Sequence, residues 1–87
     1  MPYYYLHHRR DAHTIIHDPE GAEFASLDDA RLEAVAAARE LLAGQVIEGR
    51  VWDGQAIEIA TNDGAVLMTV RFMDAVWVEK TGPSSCE

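Results

Sequence analysis

The chain has 87 residues with fifteen acidic and seven basic side chains, giving a formal charge of -8; 48% are hydrophobic and 25% charged. That length allows one domain with a thin stability margin, and that hydrophobicity excludes the disordered class. Arg9 and Arg10 run straight into Asp11 and the other arginines are scattered, so no basic stripe exists and nucleic-acid binding is not expected.

The single cysteine, Cys86, rules out an intramolecular disulfide and fits a reducing compartment. The start has no cationic segment followed by an apolar run, and no apolar stretch nears the ~20 residues of a membrane span. A cytoplasmic protein without membrane attachment is expected.

Tyr3 to Arg9 reads as a first strand, and His13 to Asp18, containing Thr14-Ile15-Ile16, as a second. A three-residue loop, Arg10-Asp11-Ala12, would place Leu6 opposite Ile16 and Tyr4 opposite Asp18. Tyr4, Leu6 and Ile16 then share one face, and Tyr5, His7, Ile15 and His17 the other. Asp18-Pro19-Glu20-Gly21 is a turn: the aspartate bonds forward to the backbone, proline presets φ and glycine accepts positive φ. Ala22 to Phe24 is read as a short strand extension.

Ser26 is the predicted N-cap of a helix, with Asp28 and Asp29 at its positive end. Leu27, Ala30, Ala34, Ala38, Leu41 and Leu42 recur every three or four residues as one apolar stripe. The helix runs to about Glu48, with Gly44 or Gly49 as its stop. After a linker holding Trp52-Asp53-Gly54, Ala56 to Thr61 reads as a third strand with Ile57 and Ile59 on one face. Asn62-Asp63-Gly64 is a hairpin turn, and Val66 to Phe72 a fourth strand with Val66, Met68, Val70 and Phe72 on one side. The expected fold is α+β, in the order ββαββ: a four-stranded, mainly antiparallel sheet with one helix on one face. Residues 1–79 form the domain and 80–87 a disordered tail.

No catalytic motif is present. Phosphate loops, nucleophile elbows and paired cysteines are missing, and Asn62-Asp63-Gly64 lacks the other ligands of a calcium loop. Asp18, Glu20, Asp28 and Asp29 are explained as turn and cap residues. Four histidines, His7, His8, His13 and His17, fall close together, but strand geometry holds His13 and His17 ~13 Å apart. His7 and His17 remain the weak metal candidates; no metal and no cofactor is expected. Tyr3, Tyr5 and His7 on one sheet face, and Trp77 with Val78 near the end, are the interface candidates.

Met1-Pro2-x-Tyr4-Tyr5-x-His7, Asp18-Pro19-Glu20-Gly21, Leu27-Asp28-Asp29-Ala30 and Val70-x-Phe72-x-Asp74-Ala75-Val76 together resemble a family of small, mainly alphaproteobacterial proteins known only as a domain of unknown function. The resemblance covers about residues 1 to 78; it implies a stand-alone cytoplasmic protein and brings no activity. A hairpin, a Pro-Gly turn and an acidic-capped helix are also similar, at fold level, to the N-terminal domain of HicB-type antitoxins, which neutralise a small basic toxin. The leading expectation is a non-enzymatic interaction or self-association module, a dimer first. The alternatives are an antitoxin-like or regulatory partner of a small basic protein, and a ligand or metal binder on the His7/His17 face.

Overall fold

The computed structural model describes residues 2–77 and Glu79. Val78, Cys86 and the tail 80–87 lie outside the described residues. The elements are β1 (Tyr3–Arg9), β2 (Ile15–Ile16), β3 (Ala22–Glu23), α1 (Leu27–Glu48), β4 (Ala56–Ala60), β5 (Val66–Arg71) and a 3₁₀ turn at Phe72–Asp74. The strands form one antiparallel sheet in the order β2-β1-β4-β5, with β3 also paired to β1. This is the expected α+β architecture, with five strand segments where four strands were predicted.

The extra segment arises because the second strand is broken. Its pairing with β1 is His8↔Ile16 before the Asp18–Gly21 turn and Tyr4↔Ala22 after it. Six chain steps on one side thus match four on the other, and the turn absorbs the two surplus residues as a bulge. The predicted partners are therefore out of register, Ile16 by two residues (it faces His8, not Leu6) and Tyr4 by four (it faces Ala22, not Asp18). The connection after Arg9 is Arg10 to Thr14, closed by Arg10 N–H donating to Thr14 O at 2.9 Å, rather than three residues. Because side chains alternate with a period of two, an even slip leaves the facial assignment intact.

The helix begins and ends at the predicted residues. Ser26 Oγ accepts the Asp29 N–H at 3.2 Å, and Gly49, at φ 87°, closes the C-terminus. Gly49 rather than Gly44 stops the helix: Gly49 takes the left-handed φ that glycine adopts without strain, while Gly44 stays helical. Ala30, Ala34, Ala38 and Leu42 are buried over β4, β5 and the 3₁₀ turn. Leu41, assigned to the stripe by spacing, is exposed: it lies one position (~100°) beyond the face that the alanines define.

β4 presents Ile57 and Ile59 to the helix; with Val70 and Phe72 they form the core, and Tyr4, Leu6, Phe24 and Met68 pack around it. A bulge between Ile59 and Ala60 pairs Ala60 with Val66 and Ile59 with Met68. Leu67 is the surplus residue, so Val66 leaves the Met68/Val70 side and is exposed, contrary to the strict alternation expected of it. β5 ends at Arg71, and Phe72 enters the core from the 3₁₀ turn. Among the described residues, six of the eleven buried apolar ones are alanines. The core is thin. No helix is long and apolar enough to cross a membrane among the described residues.

Candidate functional site

Two concave surfaces stand out, one on each side of the sheet. The first is a shallow cleft of about 340 Å³ on the face away from the helix, lined by Tyr5, His7, His17, Asp18, Thr61 and Asn62. β1 supplies Tyr5 and His7 at alternate positions, and their rings stack at 6.1 Å with an interplanar angle of 22°. His17 meets the edge of His7 at 4.8 Å. Tyr3 joins Tyr5 edge-on at 5.6 Å and donates its hydroxyl to Glu20 O at 2.6 Å.

Asp18 organises this cleft. Its Oδ1 accepts the N–H groups of Glu20 (3.1 Å) and Gly21 (3.2 Å), and its Oδ2 accepts that of Leu6 (3.3 Å). Burial raises its pKa, but those three backbone donors outweigh it, and the net shift is downward. The Asp18 N–H in turn donates to His7 Nδ1 at 3.0 Å. A ring nitrogen that accepts must be unprotonated, so the neutral His7 ring carries its proton on Nε2. His7 thus offers a donor, not a lone pair, to anything in the cleft. No group of three metal-ligating side chains is assembled among the described residues, and His7 can bind a metal only by breaking its bond to Asp18.

On the same face Arg9 and Glu58 form an ion pair at 2.7 Å, shielded by the strands on either side. The open sheet face is therefore largely polar. His8, on the helix side, stacks on Phe72 at 5.1 Å.

The second surface is an apolar groove of about 420 Å³ between the last turns of α1 and the 3₁₀ turn. It is lined by Leu42, Val46, Val51, Met73 and Val76, with Arg39 at its side. α1 continues past its last buried residue, Leu42, so Val46 and Ile47 have no sheet beneath them and are 65% and 85% exposed. Arg39 Nε donates to Ala75 O at 2.6 Å, tying the helix to the turn that forms the opposite wall. Next to this wall stands Trp77, 86% exposed, its indole N–H donating to Glu79 at 2.5 Å.

Of the residues expected at an interface, Tyr3, Tyr5 and His7 come together around the cleft, while Trp77 stands apart beside the groove. Trp77 follows the 3₁₀ turn and is not on an edge strand. The groove itself is absent from the sequence reading. The signal for it was Val46, four residues after Leu42, which extends the apolar stripe beyond the end of the sheet.

The model of the domain of unknown function DUF6894 matches residues 3–73, and the chain belongs to that family. No curated protein and no solved structure matches it.

Proposed function

We propose that this member of a family without an assigned activity is a non-enzymatic self-association module, assembling first as a dimer through the groove between α1 and the 3₁₀ turn. The observation that carries this reading is the groove: a concave apolar surface flanked by large exposed apolar side chains, of the kind that marks a contact site on a small protein. The alanine-rich core supports it, because a domain of this size gains stability by burying further apolar surface against a second copy. The groove carries a cation and no carboxylate, so the alternative of an acidic partner for a small basic protein draws only on overall charge.

The test is mass measurement by sedimentation over a wide concentration range, with Val46→Asp as the variant. The wild type is expected to shift toward dimer and Val46→Asp to stay monomeric with its fold intact by circular dichroism. A wild type that stays monomeric throughout rejects the reading.

A second reading has its own observation. The Tyr5/His7/His17 cleft falls in the size range of small-ligand sites, with the His7 Nε2–H as a fixed donor. A fragment screen by protein NMR that moves no resonance of Tyr5, His7 or Asn62 removes it.

A further inference from the structure

We infer that the occupant of the groove is Trp77 of a second copy, delivered together with Glu79, in a reciprocal exchange across a twofold axis. The inference rests on the self-association reading and names the side chains that carry it.

Three observations meet here. Trp77 is the most exposed of the large apolar side chains, and an indole left 86% exposed forfeits the burial that usually stabilises it. Its chain neighbour Val76 lines an apolar groove whose lining does not include Trp77 itself. One surface thus carries both a projecting aromatic side chain and a concavity to receive one, and a twofold axis satisfies both at once because each copy contributes the same pair.

Charge makes the match specific. The Trp77 indole is tied to the Glu79 carboxylate, so the two travel as a unit. The groove wall holds Arg39, which spends Nε on the Ala75 carbonyl and has no carboxylate within salt-bridge distance among the described residues. Trp77 entering the partner's groove brings Glu79 toward that guanidinium, twice in the dimer. In a chain of charge -8, copies repel one another in general, and a contact that pairs an acid with an uncommitted cation is the one that survives.

Exposure agrees with a dimer. Trp77 and the groove residues Val46, Val51, Met73 and Val76 are all exposed, and they are apolar surface of the kind that a standard interface of ~800 Å² per partner buries.

The experiment is sedimentation of the full chain from about 1 µM to about 1 mM, with emission spectra recorded in a Trp52→Phe background so that Trp77 alone reports. Association is expected, with Trp77 emission moving to the blue as concentration rises. Trp77→Ala is expected to weaken the dimer at least about 30-fold, the factor for a central aromatic contact. Arg39→Glu and Glu79→Arg should each weaken it, and the two together should restore Kd to within a few-fold of wild type. A blue emission at every concentration in a monomeric protein would mean that Trp77 occupies its own groove, and would overturn the exchange. So would a dimer indifferent to Trp77→Ala. If that dimer still dissociates with Val46→Asp, the groove reading stands and only the exchange is wrong; if Val46→Asp also has no effect, both fall.

Discussion

The side chains of Gln45 and Gln55 exchange two hydrogen bonds of 2.8 Å, each amide donating to the other's oxygen. Gln55, with no exposed surface, also donates to Trp52 O at 2.8 Å. Its oxygen meets His8 Nε2 at 2.9 Å; that oxygen can only accept, so His8 is protonated at Nε2. One amide thereby joins α1, β1 and the loop before β4, and no buried side-chain polar atom is left without a partner among the described residues. Gln55→Leu removes the hub and strands His8, Gln45 and the Trp52 carbonyl. The expected loss is about 2–4 kcal/mol, by the cost of leaving buried polar groups unpaired. Urea unfolding of Gln55→Leu beside Gln45→Ala checks this, the half-buried end of the pair costing less.

Asp18 gives stability a pH dependence of known sign. Its pKa is depressed in the folded chain, so its contribution is complete above the ordinary carboxylate value of 3.8 and is lost as pH falls through the lower folded value. Asp11 and Asp63, held by the His13 N–H and by the Thr61 hydroxyl respectively, shift the same way from fully exposed positions. Asp18→Asn is expected to lower stability at pH 7 by more than the ~0.5 kcal/mol of an ordinary surface change, and to flatten the acid limb of melting temperature against pH. An acid limb as steep as wild type assigns it to other carboxylates.

Three glycines separate backbone strain from steric clash. Gly21 has φ 66°, and a Cβ there would lie 2.6 Å from the Tyr3 ring, 2.9 Å from the Tyr5 ring and 3.0 Å from Tyr4 O. Gly64 has φ 92° and open space, while Gly44 sits in the helix with nothing nearby. Gly21→Ala should lose upward of about 2 kcal/mol and Gly64→Ala about 1, and Gly44→Ala should gain about 0.5–1. Thermal melts that fail to rank them in this order would show that the tyrosines yield.

Zinc is expected to leave the melting temperature unchanged to within about 1 °C, as is a chelator, because His7 Nδ1 is held by the Asp18 N–H and His17 alone is a poor site. A rise that vanishes in both His7→Ala and His17→Ala would show instead that the ring gives up its hydrogen bond for metal.

Local chemistry was readable; tertiary coincidence was not. Ser26, the alanine spacing and Gly49 define the helix within its own sequence, and Asp18 to Gly21 define their turn, so both stand where expected. The register of the first hairpin slipped because loop length, which sets it, depends on how Thr14 folds back on Arg10. The Leu67 bulge is a property of two strands together and leaves no mark in either alone. Likewise Gln45 and Gln55 are ordinary polar residues until the helix crosses the sheet. Trp52, placed in a linker, lies beneath the guanidinium carbons of Arg10 at 4.0 Å and Arg50 at 5.0 Å, which brings the first hairpin loop against the linker after α1. The groove has the same origin: its walls, Leu42 and Val46 on one side and Met73 and Val76 on the other, are far apart in sequence.

The break between β2 and β3 has a further effect. A foreign strand cannot run straight along that side of the sheet, because the chain there jogs by two residues at the Asp18 turn. Among the described residues β5, at the opposite margin, is the one long border where another backbone can add. Edge-to-edge pairing through β5 thus uses up in two copies the long border that the described residues offer, which works against growth into a fibre.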